Sequence, residues 1–130
     1  MTLVLDASTA VHALLATPLR APTRAHLRGH DLVAPSLIDT EVLSALARLE
    51  RAGQITADEA GAAVAAWRDL PCERVPSSAL IEQVWSLRHA IRVADAHYVA
   101  VAQAYGVPLL TADARLARAR IGGASVLLVS

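Results

Sequence analysis

Residues 91–120, IRVADAHYVAVAQAYGVPLLTADARLARAR, decide the fold. From Ala94 to Tyr105, tyrosines aside, the only polar side chains are Asp95, His97 and Gln103. A helix apolar nearly all round belongs in an interior. Gly106 supplies its stop and Pro108 blocks continuation. Leu109, Leu110 and Thr111 then read as a short strand that ends at Asp113. One carboxylate therefore enters a buried helix and another leaves the next strand, a placement that folding alone does not ask for.

Working outward, the same alternation recurs. Residues 2–5 form a strand pattern that ends at Asp6, and Ser8 or Thr9 caps a helix through about Ala16. Pro18 and Pro22 bracket a break, followed by a short helix with Arg20, Arg24 and Arg28 four apart. Asp31 to Ala34 make a second strand. Pro35-Ser36 opens a long helix to about Ala52, with Ile38, Val42, Leu46 and Leu49 at helical spacing. Thr56 to Trp67 forms its hairpin partner, with Thr56 and Glu59 matching a capping box. Leu70 to Val75 carry a third strand, and Ser77 or Ser78 caps a helix to about Ala90. A last short helix holds Leu116, and Ser125 to Val129 close as a strand. Strands alternating with helices predict a mainly parallel sheet of five short strands in a three-layer α/β/α sandwich, residues 1–130 forming one domain. Ligands in such folds sit beyond the carboxyl ends of the strands, where Asp6 and Asp113 both fall.

Composition excludes several chemistries. All 12 basic residues are arginine, which removes the P-loop, Schiff-base and receiver-domain lysines. The 55% hydrophobic content excludes disorder. No run reaches the roughly 18 apolar residues of a membrane span, and no signal peptide is apparent, so a cytoplasmic location is expected. Cys72 has no partner at metal-ligand spacing, the five histidines do not form a ligand set, and no Gly-x-Ser-x-Gly elbow is present. Zero net charge disfavours strong indiscriminate nucleic-acid binding.

Taken singly, the acids are ambiguous. Asp6 and Asp113 both suit helix capping, and Asp95 lies in a first helical turn. A carboxylate on a buried helix still needs a cation, and Arg92 or a metal would serve. On the long helix, periodicity places Asp39 nearer the apolar stripe than Glu41 and does not choose between them.

Together, Leu-Val-Leu-Asp6, Glu41 in Ala-Pro-Ser-Leu-Ile-Asp-Thr-Glu-Val-Leu, Asp95 in Ala-Asp-Ala-His-Tyr-Val-Ala and Leu-Leu-Thr-Ala-Asp113 resemble the PIN-domain family. The length and the Arg-Leu-Ala-Arg-Ala tail resemble its VapC toxin branch. The resemblance spans essentially the whole chain and implies strand order 3-2-1-4-5. It selects Glu41 over Asp39, and implies Asp6, Glu41, Asp95 and Asp113 as catalytic and metal-binding acids supported by Ser8 and Thr111. Ala7 departs from the pattern, since many relatives carry a hydroxyl there.

Clustered carboxylates repel, and oxygen-only ligands favour Mg²⁺ or Mn²⁺. The resemblance implies a metal-dependent endoribonuclease in which metal-activated water cuts RNA. It also implies a homodimer and a VapB-type antitoxin, with transfer or ribosomal RNA as substrate. Arg20, Arg24, Arg28, Arg115, Arg118 and Arg120 are the candidates for phosphate contacts. The hairpin of residues 36–67 is the candidate groove for an antitoxin helix, with Leu46 and Leu49 as its apolar contacts. Two rivals are a catalytically silent PIN-like binding module and a structure-specific DNA nuclease.

Overall fold

The computed structural model describes residues 1–130. Five strands, β1 (Thr2–Leu5), β2 (Asp31–Pro35), β3 (Glu73–Val75), β4 (Leu109–Thr111) and β5 (Val126–Leu128), form one sheet. Its order is β3-β2-β1-β4-β5, and every pairing is parallel. Val4 and Leu5 face Leu109 and Leu110 in register. All four are fully buried, with Val33 and Ala34 of β2, so the central strands read as unbroken apolar runs. Each of these valine and leucine side chains contributes on the order of 1.5–3 kcal/mol of burial.

Seven helices cover the sheet: α1 (Ala7–Leu14), α2 (Arg20–Leu27), α3 (Leu37–Arg51), α4 (Ala57–Asp69), α5 (Ile81–Ser86), α6 (Val93–Tyr105) and α7 (Ala114–Arg118). Helices α1 to α4 pack on one another, α5 packs on α6, and α7 rests on β4 and β5. Right-handed crossovers explain the division. The chain steps outward through β1, β2 and β3, then reverses across the sheet to β4, so the later helices take the opposite face. That reversal opens a crevice beyond β1 and β4. The sandwich and its strand order match the sequence reading.

Helix α6 is the buried helix the sequence indicated. Ala96 and Tyr98 through Ala102 are buried, and Gly106 ends the helix in the left-handed region at φ 64°, which only glycine enters without strain. The Thr56–Glu59 capping box is fully formed.

Four local readings are corrected. Pro22 lies inside α2 rather than in a break, in the first turn where a backbone N–H has no helical partner to lose. Strand β3 begins at Glu73 rather than Leu70, because Pro71 has no N–H to give a ladder. The helix expected over 77–90 is a 3₁₀ turn at Ser77–Ala79 followed by α5, which ends at Ser86. There the Ser86 hydroxyl donates to the Gln83 carbonyl at 2.6 Å, competing with the helical ladder. Leu46 is 2% exposed and belongs to the core. The large apolar side chains that the hairpin leaves outside are Leu43 and Val64, at 45% and 40% exposed.

No helix is long and apolar enough to cross a membrane.

Candidate active site

The carboxyl ends of β1 and β4 are tied together side chain to backbone. Asp6 follows β1 and caps α1 in place of the expected Ser8 or Thr9, which lie inside the helix, and it accepts the Thr9 N–H at 2.9 Å. The Ser8 hydroxyl donates to the same carboxylate at 2.7 Å, and the Thr111 hydroxyl donates to its other oxygen at 2.5 Å. Thr9's hydroxyl lies 2.9 Å from Asp6 and 2.8 Å from the Leu110 carbonyl, so its single proton is shared between two acceptors. Ser8 and Thr111 also accept, from the backbone N–H groups of Ala112 and Asp113 at 3.2 and 3.0 Å. These two hydroxyls link Asp6 to the backbone that carries Asp113.

Asp6 is 6% exposed. Burial pushes its carboxyl above the ordinary carboxylate range, against the Thr111, Thr9 and Ser8 donors that favour the anion. A buried carboxylate in that state gains from a nearby cation.

Asp6, Ser8, Glu41, Arg92, Asp95, Tyr98 and Asp113 line one open cavity of about 560 Å³. The structure thus brings together all four acids and one of the two supporting hydroxyls that the resemblance selected; the other, Thr111, is buried behind Asp6. Glu41 comes from α3 and accepts from the buried Tyr98 phenol at 2.5 Å. Burial, then the Glu41 bond, raises the phenol's pKa, so it stays protonated as a donor. Asp95 comes from the first turn of α6 and pairs with Arg92 at 3.0 Å. Asp113 caps α7 through the Arg115 N–H at 2.8 Å and pairs with the Arg115 guanidinium at 3.2 Å. Burial works to raise Asp113, but the Arg115 bonds and charge together outweigh it and leave the carboxyl below its usual range.

Asp39 is not part of this cavity. Its carboxylate accepts from Trp67 Nε1 at 2.8 Å and pairs with Arg74 at 2.8 Å, bracing α3 against α4 and β3. The Arg74 guanidinium also stacks 5.0 Å from the Trp67 ring centroid. Asp39 and Glu41 divide the work that periodicity left undivided.

The donor set suits a hard divalent cation, since the acid end of the cavity offers carboxylate and hydroxyl oxygens. As they stand, no three acidic, histidine or cysteine groups converge to hold one ion. Each acid faces an internal donor instead, and Asp95 and Asp113 face arginines. The residues fit the ion by the chemistry of their oxygens, and Asp6 also by its burial.

The candidate phosphate contacts lie elsewhere. Arg20 and Arg24 sit on α2 and Arg28 directly follows it; Arg24 donates to the Ala13 carbonyl at 2.9 Å. Arg115 borders Asp113, and Arg118 and Arg120 lie on exposed surface outside the cavity lining. The arginines that line the cavity are Arg48 and Arg92, joined by His12 and Ser44. Sequence reading passed over Arg48, His12, Tyr98 and Thr9 as site residues. Spacing held a signal for three of them: Tyr98 is three residues beyond Asp95, Arg48 is seven beyond Glu41, and Thr9 is three beyond Asp6, each on one helical face or at a cap.

The PIN domain profile matches residues 3–122. Ribonuclease VapC3 of Mycobacterium tuberculosis is 44% identical over 117 residues, covering 89% of this chain and 85% of that protein. Ribonuclease VapC12 of the same organism is 39% identical over 129 residues, covering 98% and 99%. The fold is shared with VapBC2 from Rickettsia felis, solved bound to a promoter DNA fragment, at a TM-score of 0.71 and 13% identity over 100% of both chains. Sequence, strand order and the four gathered acids agree, and the chain belongs to the PIN-domain family.

Proposed function

We propose that the chain is a Mg²⁺- or Mn²⁺-dependent endoribonuclease, the toxin of a VapBC-type pair, acting in the cytoplasm as one nuclease domain. The carrying observation is the convergence of Asp6, Glu41, Asp95 and Asp113 on one cavity from four separate segments. The 44% identity to a VapC ribonuclease supports the reading.

Asp6, Glu41 and Asp95 are the principal metal-binding acids in this reading, with Asp113 completing the set. A divalent cation bound there supplies charge neutralisation at the phosphate and lowers the pKa of water. Asp6 is held rigid by Ser8, Thr9 and Thr111, so its oxygens are fixed before any ligand arrives. Tyr98 holds Glu41 and keeps its proton, which leaves it a positioning residue rather than a base. No histidine faces the acids at hydrogen-bond distance, so no side chain stands out as a general base.

The substrate in this reading is RNA, transfer or ribosomal, and the partners are a VapB-type antitoxin and a second copy of the chain. Cleavage of a structured-RNA pool with Mg²⁺, with Mn²⁺ and with chelator tests it, with Asp95→Asn alongside. Metal-dependent cutting lost in the variant is the expected result. No cutting in any metal by folded, antitoxin-free protein would favour a silent binding module, and preference for flap DNA would favour a DNA nuclease.

A further inference from the structure

Arg92 precedes α6, and its side chain makes no helix cap. Instead its guanidinium takes both oxygens of Asp95, Nε to Oδ2 at 3.0 Å and Nη2 to Oδ1 at 3.4 Å. An exposed pair three residues apart is ordinary on a helix surface. This pair differs because both partners line the cavity, and because the charges of Asp113 and Glu41 act on Arg92 besides that of Asp95. Arg115 makes a similar pair with Asp113 but does not line the cavity.

Both Asp95 oxygens are engaged by the guanidinium, and a cation held by Asp95 needs at least one of them. Arginine cannot yield by losing its proton, so it yields by rotating away. The Arg92 side chain is 64% exposed against 20% for Asp95, so the arginine is the free partner. Once rotated, its planar fork suits phosphate as well as carboxylate.

We propose that Arg92 is an exchangeable counter-ion: it holds Asp95 until a divalent cation binds, then turns its guanidinium to a phosphate of the RNA strand. This rests on reading the cavity as a metal-dependent ribonuclease site. The bond to Asp95 thus keeps the carboxylate placed and partly neutralised, and its opening couples metal binding to substrate grip.

The test follows the Arg92 Nε–H signal of ¹⁵N-labelled full-length protein during Mg²⁺ titration, with calorimetry on the same sample. Expected is a change in that signal, with faster proton exchange, at the calorimetric midpoint. Arg92→Gln should bind Mg²⁺ up to about fivefold more tightly, the limit set by an exposed pair. Its KM for RNA should rise about tenfold, as loss of a charged hydrogen bond implies. Arg92→Lys, which keeps the charge and loses the fork, should also bind Mg²⁺ more tightly; affinity unchanged in Lys and raised only in Gln would reduce the effect to bulk charge and overturn the exchange. Mg²⁺ binding with an unmoved Arg92 signal would overturn it too while leaving the ribonuclease reading intact. An unchanged KM in Arg92→Gln would overturn the phosphate contact. Folded protein that binds no Mg²⁺ would overturn the metal reading, and the exchange with it.

Discussion

The Tyr98 phenol donates a 2.5 Å hydrogen bond to Glu41, joining helices that pack on opposite faces of the sheet. Helix α3 belongs to the layer built from α1 to α4, and α6 to the layer with α5. Glu41 and Tyr98 both line the cavity, so this bond joins its two sides across the sheet. Tyr98→Phe keeps the buried ring and removes the donor. It should cost about 1.5–3 kcal/mol, as a hydrogen bond to a charged group does, and should weaken Mg²⁺ binding by freeing Glu41. Thermal unfolding and calorimetry read the two effects. Unchanged metal affinity would show that Glu41 needs no phenol to hold it.

Asp6 gives a pH dependence of definite sign. Its folded pKa is raised by burial, so ionised Asp6 opposes folding. The stability its protonation favours is fully present below the unfolded value of about 3.9 and lost as pH rises through the folded pKa. In chelator at neutral pH, Asp6→Asn should therefore gain stability relative to the wild type. The gap should close as pH falls through the folded pKa. Denaturant unfolding at a series of pH values measures it, and a gap independent of pH would contradict the burial effect. RNA cleavage should be lost in the variant throughout.

Arg48 should grip substrate without taking part in the chemistry. It shares an α3 face with Glu41 and Ser44, and lines the same cavity with no acidic partner. Seven residues of helix set Arg48 about 10 Å along the axis from Glu41. Arg48→Glu should raise KM for RNA about tenfold and flatten its salt dependence, with kcat near the wild-type value. An equal loss in kcat would place Arg48 at the reacting phosphate.

Asp39 predicts the complementary pattern, stability without activity. Asp39→Ala leaves the Trp67 indole N–H, 3% exposed as a residue, without its acceptor, at a cost of about 1–3 kcal/mol. The Arg74 bond holds the Asp39 carboxyl below its usual range, so its contribution is present above the unfolded pKa and fades as pH falls through the folded one. Steady-state cleavage below the melting transition should be unaffected. A drop in kcat would mean that the brace reaches Glu41, two residues away.

Much of this arrangement was legible in the sequence because it is written in local chemistry. The apolar run of α6, the stop at Gly106, the Thr56–Glu59 box and the acids at strand ends each follow from nearest neighbours. Glu41 was different, because its partner is Tyr98, 57 residues away; helical phase alone could not separate it from Asp39, whose own partners are 28 and 35 residues away. Resemblance to a family resolved that choice where periodicity did not. The stretch from 77 to 90 misled for another reason. Its apolar spacing is helical, yet Ile81 and Trp85 remain 65% and 62% exposed, and only Val84 of α5 is buried to hold the helix.

The bond from Thr111 to Asp6 spans 105 residues of chain. A ribosome makes Asp6 more than a hundred residues before Thr111 and Asp113. Until β4 has been synthesised and has paired with β1, Asp6 lacks the hydroxyl that fixes it and the fourth acid does not exist. With Asp6 and Asp113 read as site acids, a chain that stops short of β4 should be inert however well its earlier segments have folded, and for a protein that cuts RNA this postpones harm to its own messenger until β4 has been made.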